Sequence, residues 1–297
     1  MIGGKRFAGV VAILAVVLAG CAKVSPVAPT AATTSAPPAL EIGTDGTPTM
    51  DLVAALYAAA LQADGQPASV VTVVPGTETL AVADHSPVAM PVFAGTLLRQ
   101  FNAESSAEPS DVVSALATAV APDLAVLETT RVDGRLVWAV TMAAASSGVA
   151  DLTAVGGWGA DKVVAAPSFA LASPSGVPAL EVAYGSDATI QEVDDVAARH
   201  DALLAGSVDA AGFRKTDAVG LADLVELDDP MGVATPDPLV VLLAADLAEQ
   251  RPDAVLVLDA VQQALTQESL SALAQAAGQD GADAAIADWL TTAGLAG

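Results

Sequence analysis

Few residues of this chain could do covalent chemistry, and the most conspicuous is a thiol. Cys21 is the only cysteine among 297 residues. A lone thiol cannot close an intrachain disulfide, which leaves it as a point of attachment. His85 and His200 are the only imidazoles, and neither has cysteines or carboxylates at the spacing that marks a metal site. No Gly-x-Ser-x-Gly elbow and no phosphate loop occurs, and Gly156-Gly157-Trp158-Gly159 lacks the dinucleotide spacing. The sequence therefore reads as no enzyme and calls for no cofactor and no metal.

Binding chemistry is better served. Arg214 and Lys215 stand side by side after Phe213, in a chain with 11 basic residues against 35 acidic. Two adjacent cations could hold a carboxylate or another anion by charge-assisted hydrogen bonds; as surface charges on a loop they would hold nothing. Glu78 and Thr79 follow Pro75-Gly76-Thr77 after a strand pattern, where ligand groups often sit, and solvated turn residues explain them nearly as well. Trp138, in a strand pattern, reads as core or as a residue near a hinge, and Met90 reads as packing. The net charge of −24 argues against nucleic acid and anionic surfaces as partners.

The elements that position these residues begin with a leader. Lys5 and Arg6 precede an uncharged apolar run, Phe7–Leu18, shorter than the roughly 20 residues a membrane span needs and suited to a cleaved signal. Leu18-Ala19-Gly20-Cys21 then resembles the lipobox of bacterial lipoproteins. That resemblance implies that residues 1–20 are removed and that Cys21 becomes the lipidated first residue, holding the protein to the outer side of the cell membrane. The alternative is a secretory signal that merely contains a cysteine. Residues 21–40 continue as a tether of Pro, Ala, Ser and Thr with no periodicity.

Beyond the tether, strands and helices alternate. Glu41–Gly43 reads as a strand end. A helix follows over Met50–Ala63, with Leu52, Val53, Leu56, Tyr57, Ala60 and Leu61 at helical spacing and Gly65 at its end. Ser69–Val74, Leu124–Leu127, Leu136–Met142, Lys162–Ala165, Val208–Ala211 and Asp223–Leu227 read as strands. Val112–Ala119 and Glu192–Ala205 read as helices. Ala244–Leu290 reads as mostly helix, broken near Pro252, Thr266 and Gly278–Gly281. Alternation of this kind is an α/β pattern.

Several segments in order resemble the osmoprotectant-binding proteins of ABC importers, the glycine betaine and choline binders. Met90-Pro91-Val92-Phe93-Ala94-Gly95-Thr96 is similar to that family's Tyr-Pro-Glu-Tyr-Thr-Gly-Thr. Ala166-Pro167-Ser168, Ser173–Leu180 and Tyr184-Gly185 are similar to its Arg-Pro-Asp-Gly-Leu-Pro-Gly-Leu and Tyr-Gly stretch. Leu204–Asp217 resembles the run ending in Phe-Thr-Thr-Asp. Asp223–Gly232, Leu265–Leu270 and Ala287–Leu290 resemble the later motifs.

The resemblance implies a two-lobed, periplasmic-binding-protein-like fold of type II, with two strand crossovers at a hinge. It assigns residues 41–137 and 222–297 to the first lobe and 138–221 to the second. It implies a small-molecule solute captured between the lobes and ABC permease subunits as partners. Such binders hold a trimethylammonium group in an aromatic cage, because a ring face attracts a cation without needing its hydrogen bonds. Here the cage positions have changed. Met90 replaces one family tyrosine, Phe93 keeps a ring without the hydroxyl, Ser173 replaces an arginine, and Asp237 stands where another ring is expected. The candidate ligand residues are thus Glu78, Thr79, Phe93, Thr96, Ser173, Phe213, Arg214, Lys215 and Asp237. The alternative reading is a cell-envelope scaffold or sensor that has lost or changed its ligand.

Overall fold

A computed structural model describes residues 38–101, 111–127, 130–217 and 221–296. Cys21, the leader and all but the last residues of the tether lie outside these. The chain from Pro37 onward forms one compact unit. Among the described residues no helix is long and apolar enough to cross a membrane.

Among the described residues ten strands make two sheets. They are β1 (Leu40–Thr44), β2 (Ala68–Thr72), β3 (Ala89–Phe93), β4 (Leu124–Val126), β5 (Leu136–Thr141), β6 (Val163–Ala166), β7 (Thr189–Glu192), β8 (Ala210–Arg214), β9 (Leu224–Glu226) and β10 (Leu239–Ala244). The first sheet has the order β2-β1-β3-β10-β4 and the second the order β7-β6-β8-β5-β9. In each, four strands run one way and one the other: β10 lies antiparallel to β3 and β4, and β5 antiparallel to β8 and β9. Both odd strands are the ones that arrive directly from the other sheet. The fold is therefore the two-lobed α/β type with two crossovers.

Those crossovers, between Val126 and Leu136 and between Glu226 and Leu239, lie against each other. Gly134 N–H donates to the Asp237 carbonyl at 2.8 Å, and Leu239 N–H donates to the Val132 carbonyl at 3.1 Å. Asp237 N–H donates to the Asp133 carboxylate at 2.9 Å. Two paired segments joining two sheets are the usual construction of a hinge. By its pairing with β5, β9 belongs to the second sheet, although residues from 222 on are assigned to the first lobe by resemblance.

Local sequence explains most elements. Pro48 opens the helix Pro48–Ala63, where its missing N–H costs nothing, and Leu56, Tyr57 and Leu61 are wholly buried against the first sheet. Gly65, at φ +80°, turns the chain out of that helix. One expectation needs correction. Residues 192–205 are not one helix: β7 ends at Glu192, and the helix starts at Val196 because the Asp195 carboxylate accepts the Ala198 N–H at 2.7 Å and caps it. Residues 239–244 are a strand, β10, with Leu239, Val241 and Leu243 in one core and Val240, Leu242 and Ala244 in the other. A strand buried on both faces reads as a continuous apolar run with no alternation. The last third is otherwise helical as expected, over Leu247–Gln250, Pro252–Ala264, Gln267–Asp280 and Ala282–Ala293.

Candidate functional site

The chemistry-bearing residues gather where the strand ends of both sheets meet the crossovers. β3 ends in Phe93, and the helix Ala94–Phe101 begins immediately after it. The first amides of that helix have no partners within it, and a carboxylate takes them. Asp237 Oδ1 accepts Gly95 N–H at 2.7 Å and Thr96 N–H at 3.1 Å, and its Oδ2 accepts the Thr96 hydroxyl at 2.5 Å. Asp237 is 4% exposed. The second crossover thus delivers a buried anion to the first lobe and locks it there.

The second lobe delivers the counter-charge. Arg214, the last residue of β8, donates from Nη1 to Asp237 Oδ2 at 3.2 Å and to the Gly134 carbonyl at 3.0 Å. From Nη2 it donates to Thr96 Oγ1 at 3.1 Å. Its guanidinium lies between two rings, 4.2 Å from the centre of Phe93 and 4.1 Å from that of Phe169. Phe169 stands on the short helix Ser168–Leu171 that follows β6, the neighbour of β8. A planar cation stacked on two ring faces is the arrangement aromatic quadrupoles favour. A Cβ on Gly134 would fall 2.1 Å from the Phe93 ring, so the bare glycine of the first crossover is what lets that ring lie flat.

A second cation completes the cluster. Arg99 donates to Thr96 Oγ1 at 3.1 Å and lies 3.9 Å from Asp237. Burial lowers its pKa and Asp237 opposes that, but guanidinium stays charged throughout. Beside these, Glu78 accepts the Gly76 N–H at 2.8 Å and the Gln100 amide at 3.3 Å. The hollow that Phe93, Thr96, Glu78 and Arg214 line is only about 50 Å³. A larger opening of about 510 Å³ lies elsewhere, lined mainly by apolar residues of the helices Pro48–Ala63 and Gln267–Asp280, with Asp195, Val196, Ala197, Thr216 and Asp217 from the other lobe. Neither Phe93 nor Phe169 lines it; charge and aromatic surface converge at the small hollow.

Of the residues singled out by sequence, Phe93, Thr96, Arg214 and Asp237 come together, with Glu78 beside them. Thr79 is half-buried on the helix Glu78–Ala83 and Ser173 is buried in the turn closed by Gly176 N–H to its carbonyl. Phe213 is wholly buried in the second lobe's core, where Arg199 lies 5.3 Å from its ring. Lys215 is paired at the surface with Glu226 at 3.3 Å. Sequence reasoning missed Phe169, Arg99 and Gly134. Phe169 could have been found as one of only five phenylalanines, placed directly after a strand.

A second buried arginine is built differently. Arg199 donates from Nη1 to the carbonyls of Val193 and Asp194, both at 2.7 Å, and lies 3.7 Å from Asp217. Burial lowers the Arg199 pKa and pushes the Asp217 carboxyl up, the opposing charges offsetting only part of it.

Residues 38–292 match the substrate-binding domain of ABC-type glycine betaine transport systems. No curated protein is significantly similar to the chain. Among solved structures, one described as a glycine betaine/carnitine/choline ABC transporter superposes with a TM-score of 0.71 at 16% identity, covering 87% of this chain and 100% of its own. YehZ of Escherichia coli in its apo form gives 0.64 at 18% identity, over 87% and 100%. A lactococcal protein in its closed form with glycine betaine gives 0.63 at 12% identity, over 86% and 96%. At these identities the superpositions show the fold, and the match over residues 38–292 shows the kinship: the chain belongs to the family of substrate-binding domains of ABC-type glycine betaine transport systems.

Proposed function

We propose that this protein is the extracytoplasmic solute-binding lipoprotein of an osmoprotectant-type ABC importer. In this reading Cys21 carries the lipid anchor, residues 22–40 are the tether, and the compact unit captures a small quaternary amine between its lobes for the permease. The observation that carries it is the seat at the crossovers. Phe93, Thr96 and Asp237 come from one side and Phe169 from the other, offering two ring faces and a buried carboxylate to a cation. Family membership supports the transport role, and the two chains of a diacylglyceryl group would make a stable anchor where a single chain is marginal.

The test is thermal unfolding of residues 37–297 against choline, glycine betaine, carnitine and small carboxylates, repeated with Phe169→Ala. A ligand bound only by the folded state raises the melting temperature by mass action, adding about 2.7 kcal/mol at a hundredfold excess over its dissociation constant. A rise with the quaternary amines that Phe169→Ala removes is the expected result. One observation favours a second reading, a scaffold or sensor on the same fold: the seat is filled by the chain's own Arg214. Silence across the whole panel at millimolar concentration would select it. The anchor is tested separately, by mass spectrometry of the exported protein: a lipidated Cys21 at the N-terminus is expected, and Cys21→Ser should release the protein from the membrane.

A further inference from the structure

We propose that Arg214 is a built-in stand-in for the solute cation, so that a quaternary amine binds only by displacing it. This rests on reading the Phe93–Phe169 pair as the solute seat, and it adds what governs that seat. Ring faces 4.2 and 4.1 Å from one guanidinium carbon leave no room for a second cation between them. The residual hollow of about 50 Å³ is far below the roughly 300 Å³ and upward of ordinary ligand pockets. What fills the seat is therefore not solvent but the side chain itself.

The ring and charge contacts that Arg214 makes span the lobes as those of a captured cation would. They run from the second lobe to Phe93 and Thr96 of the first and to Asp237 between them. A bound cation bridging the lobes would close the hinge, and Arg214 bridges them from within the chain. It is also the arginine that can leave. Its side chain is 14% exposed, against 1% for Arg199, and its long flexible stem needs only rotamer changes to swing out.

Departure would leave Asp237 in place, its oxygens still accepting the amides of Gly95 and Thr96 and the Thr96 hydroxyl. A carboxylate so satisfied asks an incoming ligand for positive charge and not for more donors. That chemistry is a quaternary ammonium, which carries charge and apolar methyl surface and donates nothing. Competition by a tethered group lowers apparent affinity by the fraction of molecules whose seat is empty. Arg214 thus sets the threshold concentration at which the protein responds.

The experiment is calorimetric titration of residues 37–297 with choline, in the wild type, Arg214→Ala and Arg214→Ala/Phe169→Ala, each checked for a cooperative melt. The expected result is binding at least tenfold tighter in Arg214→Ala than in the wild type, with the gain lost when Phe169 is also removed. If Arg214→Ala does not melt cooperatively, Arg214→Gln, neutral but still polar, decides on the same criterion. Equal or weaker binding in the folded variant overturns the proposal, as does the absence of binding in both. Tight wild-type binding that the substitution leaves unchanged would overturn the stand-in while upholding the importer reading. A silent wild type beside a binding variant would uphold the stand-in and direct the search for a transported solute away from quaternary amines.

Discussion

Arg199 and Arg214 are built from the same parts and do different things. Each guanidinium lies on a phenylalanine ring, and each faces an aspartate, Asp217 at 3.7 Å or Asp237 at 3.2 Å. Yet every partner of Arg199 belongs to its own lobe: the carbonyls of Val193 and Asp194, the ring of Phe213, and Asp217 just past β8. It staples the loop before the helix Val196–Leu204 to the end of a strand. Arg214 instead reaches to the other lobe. The chemistry of a cation on an aromatic ring does not decide whether it is structural; the address of its partners does.

The largest effect that separates the two is expected from Arg199→Ala. Removing one member of a buried pair leaves the other charge uncompensated, a loss of about 3–5 kcal/mol. Urea unfolding should show it, and Asp217→Asn in the same molecule should restore part of it. Solute affinity should stay within a factor of about two, because nothing in the seat touches Arg199. A large change in affinity would mean that the lobes are coupled through Asp217, which also accepts the Arg214 backbone N–H at 2.9 Å.

A smaller loss, about 2–3 kcal/mol, should follow Asp237→Ala, which strips the Gly95 and Thr96 amides of a buried acceptor and leaves Arg99 and Arg214 without their anion. Here stability and solute binding should fall together, unlike at Arg199. Next comes Gly134→Ala. Its new Cβ would overlap the Phe93 ring, costing about 1–3 kcal/mol as overpacking and turning that ring off Arg214. Calorimetry should then show a lower melting temperature and a changed choline affinity from a residue that never contacts the solute.

The smallest effect comes from an exposed pair that serves as a control. His85 lies 2.8 Å from Asp246 with about half of each side chain in water. The hydrogen bond to Asp246 raises the His85 pKa above its ordinary 6.5. The protonated form is therefore favoured in the folded protein. Its stabilisation is full below about 6.5 and disappears as pH rises through the raised value. Solvent screening keeps it small. NMR titration of His85 should give a midpoint above 6.5 that Asp246→Asn brings back down, with no accompanying change at the seat.

The sequence made the architecture legible where burial is one-sided. The helix Pro48–Ala63 and the strand–helix alternation follow from periodicity, whereas β10 and the Pro91-containing β3 are buried on both faces and carry no period to read. The site was legible in part for a related reason. Phe213, Arg214 and Lys215 are consecutive, but neighbours on a strand point to opposite faces. Phe213 therefore enters the core when Arg214 enters the seat, and Lys215, past the end of β8, meets Glu226 at the surface. Phe169 escaped because its relation to Phe93 exists only once the strand ends of the two sheets have been brought together. No local pattern records that distance.

The most direct test of the account is the separation of the lobes without solute. The compact unit contains no cysteine, so spin labels can be placed at Ala63→Cys in the first lobe and Ala160→Cys in the second, both exposed. If Arg214 closes the hinge as a solute would, the wild type gives one narrow distance distribution that choline leaves in place. Arg214→Ala should give a broader and longer one, which choline narrows and shortens. An Arg214→Ala distribution that matches the wild type in the absence of choline would contradict the account.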